Sequence, residues 1–237
     1  MITAGTPAFQ PTRWSLVARA TVDDDPAARI ALNELCQLYW PPLCAFARRW
    51  GLSDAEAEDV TQSFFAELLR NEKFAIADPE RGKLRTFLLS TFTKRLINLR
   101  QRDRERGHVS LDAPLNDAGP ARDPADPHTP EHEFNRQWAM TTMETALARV
   151  EAEYGTAGKA AHFAAFRPLL DLAATGNEDY AALARQLGMK EGAARVATHR
   201  VRQRFREIIF TTIAETLDQP TEAAVRAEIG LLMESLG

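Results

Sequence analysis

The stretch NEDYAALARQLGMKEGAARVATHRVRQRF, residues 177–205, decides the reading of this chain. Tyr180, Leu183, Ala184 and Leu187 recur at the 3.6-residue spacing of one helix face. Asn177 is placed to cap that helix, and Glu178 and Asp179 in its first turn complement the helix dipole. Gly188 suits the left-handed position just beyond a helix end. A second helix, about Glu191 to Thr211, turns Ala194, Ala197, Val201, Phe205 and Ile208 inward. Two helices joined at a glycine, the second of them basic, form a helix-turn-helix signature. Helix–glycine–helix joins are common, so the weight lies on the basic face. Arg195, Thr198, His199 and Arg202 are expected on exposed positions of the second helix, and guanidinium groups pair with phosphates and with guanine edges in the major groove.

Working outward, Phe134, Trp138, Leu147 and Val150 predict one long helix before this motif, and Phe163–Leu172 another. A last amphipathic helix is expected over about Thr221–Leu236. Upstream, Gly107–Pro130 holds five of the thirteen prolines, with Gly119 and four aspartates. Proline removes backbone donors and this composition buries no core, so a flexible linker is expected. Before the linker, a short helix near Thr12–Ser15 precedes one over about Pro26–Trp50, kinked or interrupted at Pro41-Pro42. Ser53 and Glu56 form a capping-box pattern. The helix they open carries Val60, Phe64, Phe65, Leu68 and Leu69 at helical spacing. After Asp78–Gly82 comes a helix whose apolar face is Leu84, Phe87, Leu88, Thr91, Phe92, Leu96 and Leu99.

Thirty-nine alanines and the absence of alternating β-branched runs predict an all-α fold of two helical lobes. No apolar run approaches the ~20 residues that span a bilayer. The first residues lack the pattern of a secretory leader. Cys36 and Cys44 alone give neither a disulfide scaffold nor a cysteine-rich zinc site, and fit a reducing cytoplasm. The net charge of −4 hides its distribution. Arg81–Arg106 holds nine Lys or Arg against two acids, and Lys190–Arg206 six against one. Such clustering is the electrostatic footprint of phosphate binding. In the first stretch Thr86, Ser90, Asn98 and Gln101 stand beside Lys94 and Arg100, the mixture of cations and polar groups that single-stranded DNA requires. No phosphate-binding loop, GxSxG, HExxH or spaced acid set is present, so no catalytic residue, cofactor or metal is expected. The acids Asp54–Asp59 suit a helix start without any ion, and Pro130 separates His128 from His132 as ligands.

Ala57–Phe65 (AEDVTQSFF) resembles the acidic Gln-x-x-Phe signature in the second domain of sigma-70 factors, and Gly82–Leu88 that domain's promoter-melting helix. Glu191–Arg202 resembles the recognition helix of the fourth domain. The two matches, in order and separated by a linker, cover about residues 26–106 and 140–210. The layout is similar to the extracytoplasmic-function (ECF) group. Thr12–Ser15, Leu38–Leu43 and Thr61–Phe65 resemble a subgroup associated with Ser/Thr kinases.

The resemblance implies an N-terminal extension (1–25), sigma domain two (26–106), a linker (107–133), sigma domain four (134–212) and a C-terminal helical extension (213–237). It implies a cytoplasmic, non-enzymatic transcription initiation factor. Core RNA polymerase would meet Glu58, Asp59, Gln62 and Phe65. The −10 element, held as single strand, would meet Arg85, Thr86, Ser90, Lys94, Asn98, Arg100 and Arg102. The −35 duplex would meet Lys190, Arg195, Thr198, His199, Arg200 and Arg202. The linker's aspartates would mimic RNA in a basic channel. Ser63 stands where many members have Glu, and Thr61 where many have an aliphatic residue. Both are candidate phosphorylation sites, with a Ser/Thr kinase or an anti-sigma factor as the implied partner. A stand-alone helix-turn-helix regulator with a sensing N-lobe is the alternative from another class.

Overall fold

Helix-forming composition and helical periodicity predict the elements that the computed structural model displays. It describes residues 26–70, 84–105, 129–170, 178–217 and 220–236. The helix expected at Thr12–Ser15, the loop Asp78–Gly82 and linker residues 107–128 lie outside them. The described residues form eight α-helices and one 3-10 turn, with no strand, as the all-α reading expected. They are α1 Pro26–Arg49, α2 Asp54–Arg70, α3 Leu84–Glu105, α4 Pro130–Thr156, α5 Ala160–Phe166, α6 Tyr180–Leu187, α7 Glu191–Ala214 and α8 Glu222–Leu236, with the turn Arg167–Leu170 after α5. The chain divides into two units. One comprises residues through Thr141 together with Ile213 onward; the other is Thr142–Thr212.

In the first unit, α1 continues through Pro41 and Pro42, so the expected interruption is absent. Each proline removes one donor from the helix ladder. Burial of Leu38, Tyr39, Leu43, Cys44 and Phe46 on the same helix holds it together across that defect. Gly51, at φ 106°, ends the turn that follows α1. Its amide donates to Arg48 O at 2.9 Å and that of Leu52 to Ala47 O at 3.2 Å, a Schellman closure that favours glycine. The expected capping box then starts α2. The Ser53 amide donates to Glu56 at 2.9 Å, and the Glu56 amide to Ser53 Oγ at 3.4 Å.

Phe92 of α3 joins these helices. Its ring centroid lies 6.1 Å from Phe46 of α1 and 5.0 Å from Phe64 of α2. Leu84, Leu88, Phe92 and Leu96 form the buried row of α3. Thr129 Oγ1 accepts from the His132 amide at 3.1 Å and Pro130 occupies the first position of α4, where its missing N–H costs least. Helix therefore begins four residues before the end of the expected linker. The first part of α4 buries Phe134, Trp138 and Ala139. Ile213, Leu217, Val225 and Leu232, from the chain's last segment, are also buried.

In the second unit, Tyr154 lies 5.9 Å from Phe163 and 6.3 Å from Phe166, ring centre to ring centre. The helix expected over Phe163–Leu172 is α5 followed by the tighter turn, which contains Pro168. Val150, Leu183, Ala194, Val201 and Phe205 are among the other buried residues of this unit.

Truncating Phe92 removes a side chain shared by three helices. Phe92→Ala is expected to lower unfolding free energy by about 3–5 kcal/mol, read from urea denaturation. A loss below about 1 kcal/mol would show that the three-helix core does not depend on this ring.

Candidate functional site

Burial of one row of α3 forces the opposite row outward. Thr86, Ser90, Lys94 and Asn98, each four residues after the last, are exposed, and Arg102 continues the row. Arg100 is half-buried. Five of the seven residues expected to meet single-stranded DNA thus share one solvent face. A shallow groove lined by Phe64, Glu67, Lys94, Arg95, Asn98 and Arg102 lies between this face and α2.

Arg85 is the exception. Its side chain is only 13% exposed and pairs with Glu228 of α8 at 3.2 Å. It also donates to Asn135 Oδ1, and its guanidinium carbon sits 5.0 Å from the centre of the Trp138 ring. The expected strand contact is corrected to an inward-facing cation. At 100° per residue Arg85 falls at the edge of the Leu84/Leu88 row, where Glu228, Asn135 and Trp138 enclose it.

On α2, Glu58, Asp59, Gln62 and Ser63 are exposed. Arg48 lies 2.5 Å from Asp54 and 3.7 Å from Glu58. Phe65 is buried and stacks on Trp40 at 5.8 Å, so its expected exposure to a partner is corrected: it is core. Thr61 is also corrected. It is fully buried, its hydroxyl donates to Ala57 O at 2.7 Å, and Cys44 Sγ lies 3.5 Å away. A kinase cannot reach that hydroxyl in the folded chain. Ser63 can be reached; its Oγ accepts from Arg95 Nη2 at 2.8 Å. Arg95 also binds Glu67. Sequence reading did not single out Arg95, because nothing local signals a partner 32 residues away. Burial raises both thiols, Cys36 to about 11.

The expected two helices and glycine turn are α6, a turn at Gly188 and α7. The cap of α6 is Asp179, two residues after the expected Asn177, which lies outside the described residues. Asp179 accepts from the Ala182 amide at 2.9 Å. Gly188 adopts φ 63°, and a Cβ there would meet no neighbour, so the requirement for glycine is one of backbone conformation.

Along α7, Ala194, Thr198, Val201, Phe205 and Ile208 form the buried stripe. Thr198 was expected outside. It lies at i+4 from Ala194 and i−3 from Val201, within their stripe, and its hydroxyl donates to Ala194 O at 2.9 Å. Arg202 is likewise turned to structural use. It binds Glu178 and donates to Leu169 O at 2.9 Å, tying α7 to the start of α6 and to the preceding turn. Lys190, Arg195, His199 and Arg200 remain exposed. Arg195 is held by Glu191 at 2.8 Å and over the Tyr180 ring at 4.9 Å. That leaves a positioned cation flanked by His199 and Arg200, an arrangement suited to a phosphate backbone and base edges.

Among the described residues no group of three potential ligands could hold a metal ion. No described helix is long and apolar enough to cross a membrane.

The hydrogen bond from Arg202, then that from Tyr180, holds the Glu178 carboxyl below its ordinary range. A carboxylate with a depressed folded pKa stabilises while ionised, and the contribution disappears as pH falls through that pKa. Glu178→Gln is therefore expected to lower the melting temperature at neutral pH, with the difference closing below about pH 4. A pH-independent difference would contradict this role.

Residues 35–106 match the family model for Sigma-70 region 2. The span takes α1 from Leu35 and all of α2 and α3, the elements that carry the acidic face and the outward row just described. Comparison with curated proteins and with solved structures yields no match. The first unit of this chain thus contains a segment of sigma-70 region 2 type, which supports a sigma-70 factor.

Proposed function

We propose that the chain is an RNA polymerase sigma factor of the extracytoplasmic-function group that acts in the cytoplasm. The observation that carries the reading is the coincidence of the Sigma-70 region 2 match with α1–α3, where Glu58 and Asp59 of α2 and Lys94 and Arg102 of α3 face solvent. Core polymerase would dock on the α2 face of Glu58, Asp59 and Gln62. The α3 row Thr86, Ser90, Lys94, Asn98 and Arg102, with Arg100 at its edge, would hold the upstream strand of the −10 element, its cations on the phosphates and its polar groups on the unstacked bases. Lys190, Arg195, His199 and Arg200 would meet the −35 duplex in the major groove.

Regulation by a Ser/Thr kinase is part of this reading, with Ser63 as the acceptor. A phosphate there adds about −1.5 to −2 charges at pH 7, beside Arg95, on the face assigned to polymerase. An anti-sigma factor is the other regulatory partner the family resemblance implies.

The test is run-off transcription with purified core polymerase on a genomic promoter pool. Promoter-specific transcripts are expected. Their absence, with duplex binding retained, would favour a stand-alone helix-turn-helix regulator. The double variant Glu58→Lys/Asp59→Lys should weaken co-purification with core by at least tenfold, about 1.4 kcal/mol, while helicity is kept. Unchanged co-purification would remove α2 from the interface.

A further inference from the structure

Glu228 is the one charged side chain among the fully buried residues described. It belongs to α8, far along the chain from the helix it meets. Its carboxylate lies 3.2 Å from the Arg85 guanidinium, with the two side chains 3% and 13% exposed. Asn135 and the Trp138 ring complete the enclosure of Arg85. Buried Tyr39 and Thr216 adjoin the pair, and burial holds the Tyr39 phenol neutral. Arg85 immediately precedes Thr86, the first residue of the exposed α3 row. It is the one cation of the α3 candidate set that a carboxylate from the C-terminal segment withdraws.

We propose that α8 is an autoinhibitory cover in which Glu228 serves as internal counter-ion to Arg85, and that a phosphate of single-stranded nucleic acid competes with it. The inference rests on the strand-binding reading of α3. A guanidinium pairs with carboxylate and with phosphate through the same fork of donors. Burying both charges offsets much of their mutual attraction, so the pair itself adds little to the hold on α8, and the buried Val225 and Leu232 set the remaining cost of release. Releasing α8 would free one cation beside the outward row of α3.

The experiment measures binding of the full chain to a fluorescent oligothymidine strand across a salt series, starting at low ionic strength. Glu228→Gln is expected to bind more tightly, with a log–log salt slope steeper by about 0.7, the increment for one more neutralised phosphate on a single strand. Adding Arg85→Ala to Glu228→Gln should abolish the increment. A folded Glu228→Gln with the wild-type slope overturns the counter-ion proposal and leaves the α3 reading standing. If neither protein binds the strand, the α3 reading fails and the proposal with it. If only Glu228→Gln binds, the cover is confirmed. Hydrogen exchange on the wild type gives a second measurement that does not depend on the variant folding. Saturating oligothymidine should speed exchange over 222–236, and unchanged or slowed exchange there overturns the proposal.

Discussion

The contact of Phe92 with Phe46 and Phe64 is the constraint from which the first unit follows. A helix can bury only one stripe against two neighbours. Once Phe92 is enclosed, Leu84, Leu88 and Leu96 are drawn in by helical repeat, and Thr86, Ser90, Lys94 and Asn98 must face water. The same enclosure orients α2: Val60, Phe64 and Leu68 turn inward, and Asp59, Gln62 and Ser63 outward. The outward acids of α2 and the outward row of α3 are thus consequences of one aromatic cluster.

The second unit solves a different problem. Two of its helices are short, α5 having seven residues and α6 eight, and short helices are marginal without tertiary support. Charged groups supply part of that support. Arg202 joins Glu178 and Leu169 O, and Arg204 joins Glu153 at 2.5 Å and Glu207 at 3.2 Å. The Arg204 pairs are exposed, and such pairs contribute little individually. The half-buried Arg202 link is better screened from water and fixes the angle at which α7 leaves the turn. Basic residues on α7 are consequently divided between holding the motif and presenting a surface.

That division matters for binding. A chain with net charge −4 approaches nucleic acid through local fields, not through its total charge. In the proposed function the cations left outward, among them Lys94 and Arg102 on α3, Lys190 just before α7, and Arg195 and Arg200 on it, would set the salt dependence. Arg85, Arg95, Arg202 and Arg204 lie within the same basic stretches, yet each binds a carboxylate of this chain. Counting Lys and Arg along the sequence overstates the charge available to a ligand by these groups.

The sequence alone determined the all-helical class, the capping box at Ser53 and Glu56, the left-handed glycine at 188 and the buried row of α3. Each depends on residues within about one or two helical turns of one another, where spacing and backbone conformation decide the outcome. The acidic face of α2 was legible for the same reason. Tertiary structure decided the rest. Pro41 and Pro42 stay within one helix because surrounding burial outweighs two lost donors. Thr61, Phe65, Arg85 and Arg202 turn inward because their partners come from other parts of the chain: Cys44, Trp40, Glu228 and Glu178. Periodicity assigns a residue to a stripe, but the width of that stripe depends on what packs against it. Nothing local in the sequence could have paired Arg85 with a carboxylate on the last helix, because that contact exists only once the C-terminal segment returns to the first unit.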